Sequence, residues 1–156
     1  MTPDRPLAVD ALRALVAHPL FENELASGSP SPFTRLADLG EHAFVEQQLT
    51  AWLRRIEALP PKARDLPCRD LARHAAAAGR TDLARAAAEL PGKSVRRYSA
   101  LGWALGCVNV GDWNGAMAAL DRTPPEARVS TALSMADAAE QAGCYGPRAL
   151  PLRALS

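Results

Sequence analysis

Apolar residues recur at helical spacing along most of this chain, and prolines and glycines cut the pattern into short segments. Between Leu7 and about Ala17, Leu7, Val9, Leu12, Leu15 and Val16 oppose Asp10 and Arg13, which predicts a first helix ended or kinked by Pro19. Residues 20–26 continue it as a short second piece, and the turn formers of 27–32 break the chain. A short helix is expected from Phe33 to Leu39, ending at Gly40. The strongest stripe lies in Glu41 to Ala58, where Phe44, Leu49, Trp52, Leu53 and Ile56 run beside Glu46, Gln47, Arg54 and Arg55 until Pro60-Pro61 stops it.

Beyond Pro61 the pattern is periodic. Pro60-Pro61-Lys62-Ala63-Arg64 and Pro124-Pro125-Glu126-Ala127-Arg128 lie 64 residues apart, with Pro91-Gly92-Lys93 about half-way between. Gly79, Gly111 and Gly143 are spaced by 32, and each closes an Ala-rich run. Each unit therefore reads as helix A, a glycine stop, helix B and a proline turn. Helices A are expected at about Asp65 to Ala78 (Pro67 tolerated in the first turn), Ser94 to Val110 and Glu126 to Ala142. Helices B are expected at Asp82 to Leu90, with Asp82 as N-cap, and at Asp112 to Arg122; Pro147 to Leu155 would be a short third one, broken by Pro151. Ala72, Ala104 and Ala136, with Ala84 and Ala116, mark where A and B cross closely.

Ala104, Gly111-Asp112, Ala116, Leu120 and Pro124, preceded by Ala72, Gly79, Ala84, Ala88 and Pro91, resemble the tetratricopeptide-like (TPR-like) helical repeats over about residues 60–145. The period is 32 instead of 34, and Ala75, Cys107 and Ala139 replace the aromatic late in helix A; a HEAT-like or other αα-repeat is the alternative. The resemblance implies an all-α fold, a short right-handed αα-repeat solenoid. Residues 60–156 would supply about two and a half units. Projecting the period backwards puts Gln47 where a glycine is needed, so residues 1–59 are expected to form an N-terminal helical cap over the open end of the stack.

Composition agrees with helices packed through small side chains: 48% of the 156 residues are apolar but only 5% aromatic. Eighteen Lys and Arg against 17 Asp and Glu leave a formal net charge of +1, which gives no whole-molecule field for nucleic acid or an anionic membrane. Cys68, Cys107 and Cys144 are odd in number and widely spaced, as expected of buried thiols in a reducing compartment. With no basic start followed by an apolar core, and no apolar run of about 18 residues, a cytoplasmic protein is expected.

Candidate chemistry is thin. There is no Gly-x-Ser-x-Gly, no phosphate-binding glycine loop and no His-Glu-x-x-His, so no catalytic residue, cofactor or metal is expected. The enzyme or ligand-binding alternative places a pocket between the N-terminal helices and the first unit, where His18, His42, His74 and Cys68 would converge. In the register of the resemblance, helices A form a concave wall. It carries Leu66, Arg69, Arg73 and Ala77, then Tyr98, Leu101, Leu105 and Asn109, then Ser130, Leu133, Asp137 and Gln141.

That wall runs from basic through apolar to acidic, which suits a partner segment with a carboxylate at one end, an apolar anchor and a basic residue at the other. Arg69, Arg73, Tyr98, Leu101, Leu105, Asn109 and Asp137 are the candidate partner-binding residues, with the two arginines placed to share one carboxylate. The competing reading makes Leu101, Leu105 and Leu133 core and the arginines a solvated face. Trp103 and Trp113 are either core between units or exposed anchors, and Lys93, Arg96 and Arg97 form a basic cluster too short to specify nucleic acid. The expected function is protein–protein interaction as an adaptor, dedicated chaperone or inhibitor, with no nucleic acid or membrane as partner. A structural subunit of a larger complex, and a homodimer through an open repeat end, are the other options.

Overall fold

A computed structural model describes residues 5–26, 31–90 and 96–141, and these are all-α, with no strand among them. Helix α1 (Arg5–Ala17) ends before Pro19 and is followed by a π-helical turn, Phe21–Leu25. Helices α2 (Pro32–Asp38) and α3 (His42–Glu57) come next, then α4 (Asp65–Ala77), α5 (Thr81–Glu89), α6 (Arg96–Asn109), α7 (Trp113–Arg122) and α8 (Arg128–Gln141). Ser94, Gly143, Cys144 and the segment 147–155 lie outside the described residues.

The 32-residue period is physical. Shifted by 32, α4 falls on α6 and α5 on α7; shifted by 64, α4 falls on α8. The turn between the first pair holds Gly79 at φ +78, and that between the second holds Gly111 at φ +76, a region that a side chain disfavours. Both turns close the same way. Gly79 N donates to Ala76 O and Arg80 N to Ala75 O, as Gly111 N does to Val108 O and Asp112 N to Cys107 O, all between 2.8 and 3.1 Å. This doubled bond satisfies carbonyls in the last turns of α4 and α6.

Asp82 does not cap α5. The N-cap is Arg80, without a side-chain bond, and Asp82 pairs with that arginine at 3.2 Å. Asp112, the equivalent of Arg80, does cap α7, accepting the Gly115 N–H at 2.9 Å. The proline turns agree as closely, each a single 3-10 turn, Pro61–Ala63 and Pro125–Ala127, opened by an extended proline.

Burial follows the register. Cys68, Ala100 and Ala132; Leu71, Trp103 and Met135; Ala72, Ala104 and Ala136; and Ala75, Cys107 and Ala139 are four buried columns on helices α4, α6 and α8. Ala84 and Ala116, with Ala87 and Ala119, line the facing sides of α5 and α7. Helix α4 packs on α5 and most extensively on α6, which in turn packs on α7 and α8. The α4–α6 approach is set by Gly102 and Gly106. A Cβ on Gly102 would overlap the Arg69 carbonyl, and one on Gly106 would overlap that of Arg73 and come within 2.9 Å of the Ala76 methyl.

The N-terminal part is closer to the repeat than its sequence suggests. Gly40 (φ +86) ends α2 with the same doubled bond, Gly40 N to Ala37 O and Glu41 N to Leu36 O. At the other end, Arg64 donates to the Leu59 and Glu57 carbonyls at 2.9 and 2.7 Å. Sixty-four residues on, Arg128 donates to the Thr123 carbonyl at 3.3 Å and faces that of Asp121. The exit of α3 is thus the exit of α7, and Trp52 and Ile56 fall in the columns of Ala116 and Leu120. The glycine has moved from position 47 to 40, seven residues or about two helical turns, which keeps the apolar face of α3 in phase.

Candidate functional site

Helices α4, α6 and α8 carry the sequence-expected wall. Leu66 and Leu133 are 55% and 51% exposed, Tyr98 is 38% exposed, and Leu101 and Leu105 are half-buried, whereas Trp103 is in the core and Trp113 packs partly against it. Leu133 is therefore surface, and its equivalent Leu101 is partly covered and not fully interior. Asn109 and Asp137 are exposed, as are Ser130 and Gln141; Ala77 is buried, its carbonyl taken by the Thr34 hydroxyl at 2.9 Å. Lys93 and the side chains of Arg96 and Arg97 lie outside the described residues.

A cleft of about 260 Å³ opens on the α4–α6 seam, lined by Arg69, Asp70, Arg73, Leu101, Gly102 and Leu105. Four of the seven candidate residues meet there; Tyr98, Asn109 and Asp137 stand elsewhere on the wall. Gly102 brings the backbones together, so Leu101 and Leu105, one turn apart, flank a floor of main chain. Asp70 and Gly102 are the lining residues that sequence reasoning missed. The two arginines are not equivalent. Nε and Nη2 of Arg69 lie 3.2 Å from Asp70 Oδ1. Arg73 is half-buried and donates through Nη2 to the Ala26 carbonyl at 2.6 Å; burial, above all, holds its pKa below the usual arginine value. Its charge is drawn towards the N-terminal helices, away from a carboxylate shared with Arg69.

That carbonyl is half of a joint. His74 is 0% exposed, its Nε2–H donates to Ala26 O, and its Nδ1 accepts from the Ser31 hydroxyl at 2.6 Å. Phe21, Phe33 and Trp52 surround the ring at 5.6 to 5.7 Å between centroids. Desolvation foremost, with a smaller effect of Arg73, lowers the His74 pKa to about 4, so the ring is neutral at pH 7 and a weak base. The Ser31–His74 pair has the composition of a nucleophile and base, but its ring is sealed in the core, where it ties the N-terminal helices to α4.

The other residues of a possible converging site are apart. His18 lines a crevice of about 520 Å³ with Glu22, Asn23, Gln48 and Arg55, His42 is exposed at the start of α3, and Cys68, like His74, is fully buried on α4. Burial, and then Asp65, pushes the Cys68 thiol up to about 12; burial, and then Asp112, does the same to Cys107, so both stay protonated. Among the described residues no group of three or more His, Cys, Asp or Glu is placed to hold a metal ion, and no helix is long and apolar enough to cross a membrane. No family model, curated protein or solved structure matches the chain.

Proposed function

We propose that this chain is a protein–protein interaction module, a cytoplasmic adaptor, dedicated chaperone or inhibitor, that holds a partner segment against the α4–α6–α8 wall. The arrangement is read as a short TPR-like αα-repeat solenoid, supported by the common turn, exit and burial register of the helix pairs. One observation carries the functional reading. The outward faces of successive helices A present large apolar side chains to solvent, Leu66 and Tyr98 at one equivalent position and Leu133 at the position equivalent to Leu101, on the wall that carries the Leu101–Leu105 cleft.

The charges at its edges give the partner polarity. Arg69 stands at the α4 side and the exposed Asp137 at the α8 side, so a segment with an acidic residue, an apolar middle and a basic residue fits in one direction. Packed helices hold the wall in place before binding, which lowers the ordering cost. A photo-cross-linking residue in place of Leu133 is expected to trap a discrete second protein in the source cell, while the same residue in place of Arg85, exposed on α5, traps none. Adding Arg69→Glu is expected to reduce the Leu133 adduct at least tenfold. Equal labelling from both positions, or none from Leu133, would overturn the reading.

A further inference from the structure

The α4–α6 cleft does not end at α4. Arg69 and Asp70 also line a second cleft, of about 190 Å³, with Leu66, Pro67, Glu22 and Asn23. Glu22 and Asn23 in turn line the larger crevice between α1, the π-helical turn and α3, together with His18 and Gln48. Three depressions that share lining residues in sequence make one path, from Leu105 on α6 across α4 to the N-terminal helices.

Its chemistry suits a peptide main chain. The charged groups along it are engaged within the protein: Arg69 with Asp70, Arg73 with the Ala26 carbonyl, and Glu22 with Arg55, whose Nε donates to Glu22 Oε1 at 2.9 Å. The uncharged groups, in contrast, are open. The carboxamides of Asn23 and Gln48 bond to nothing among the described residues. His18 accepts the Leu20 N–H on Nδ1 at 3.1 Å and keeps Nε2–H as a donor. A carboxamide offers one donor face and one acceptor, the complement of a peptide unit.

We infer that the path binds an extended segment of a partner protein through its main chain, with Asn23 and Gln48 pairing to its peptide groups and an apolar side chain seated between Leu101 and Leu105. This rests on the interaction reading and deepens it: the N-terminal helices are part of the binding surface as well as a cover. The π-helical turn places Asn23 beside Glu22 at the middle of the path, so this turn supplies recognition.

The test uses displayed random peptides of about 12 residues, roughly 40 Å when extended, selected on the intact protein and then made synthetically. Affinity is measured for the intact chain, for Leu101→Asp and for Asn23→Ala with Gln48→Ala, each checked for unchanged helicity and melting. We expect about a hundredfold loss for Leu101→Asp and about tenfold for the amide variant. Methylating single peptide nitrogens of the ligand separates the roles: one position is to cost the intact protein about tenfold and the amide variant nothing. Loss with Leu101→Asp alone would overturn the extended path and leave the interaction reading standing. Failure to select any peptide, or peptides indifferent to both variants, would overturn the two together.

Discussion

Trp52 on α3 and Ala84 and Ala116 on α5 and α7 occupy the same column of the stack, yet one is the largest side chain available and the others among the smallest. The difference follows from the opposing helix. In the repeated units a full-length helix A faces each helix B and alanine lets the two close in, while Gly102 and Gly106 do the same between successive helices A, α6 and α4. In the N-terminal unit the opposing α2 has only 7 residues, and the space beyond it is filled by Phe21, Phe33 and Trp52 packed around His74. Periodic packing uses small residues because the geometry repeats; the junction, made once, uses large rings and a polar tie.

Removing the filler tests that contrast most severely. Trp52→Ala is expected to cost about 4 kcal/mol, since it leaves a void among Phe21, Phe33 and His74. Hydrogen exchange is expected to show early loss of protection in α1 to α3, with α6 and α7 retained. Simultaneous loss throughout would mean that junction and repeat are one cooperative unit and that the contrast is only one of composition.

Acid sharpens the same comparison through the polar tie. His74 is neutral when folded, with its pKa near 4 against an ordinary 6.5, so the unfolded chain binds the proton first. Its contribution is intact above about pH 6.5, declines as pH falls towards 4, and is constant below. The difference amounts to about 3 kcal/mol. Urea unfolding from pH 7 to 4 is to be compared with His74→Gln, whose amide can donate to Ala26 O and accept from Ser31 without titrating. A pH dependence equal in both proteins would remove His74 as its source.

The period was legible because its determinants are local. Positive-φ Gly79 and Gly111 and the proline turns at Pro61 and Pro125 mark the period among the described residues, so α4 to α8 follow from spacing, and four of the seven wall residues meet in a real cleft. The N-terminal unit was hidden because the register was carried back through the glycine. Carried back through the exit, Pro60-Pro61 and Arg64 against Pro124-Pro125 and Arg128, it reaches α3 directly. The His74 tie could not be read at all: its partners Ser31 and Ala26 are 43 and 48 residues away, and no spacing rule links them. Nor could Arg73 be told from Arg69, since only the fold brings the Ala26 carbonyl to one of them.

The smallest expected effect bears on the repeated side. Gly102→Ala adds one methyl where α6 meets the Arg69 carbonyl, and because the obstacle is backbone the helices must separate. Alanine gains about 1 kcal/mol of helix propensity over glycine, against an overpacking cost of about 3, so a net loss of about 2 kcal/mol is expected in thermal or urea unfolding. The same exchange at Gly79 or Gly111 meets no atom within 4 Å and costs only the strain of its positive φ, about 1 kcal/mol. Separating α4 from α6 also widens the floor between Leu101 and Leu105, so Gly102→Ala is expected to weaken ligand binding, while Gly111→Ala leaves it unchanged. A Gly102→Ala protein as stable as the parent would mean that α4 and α6 tolerate a wider spacing. Close backbone contact would then not be what sets the repeat apart from the junction.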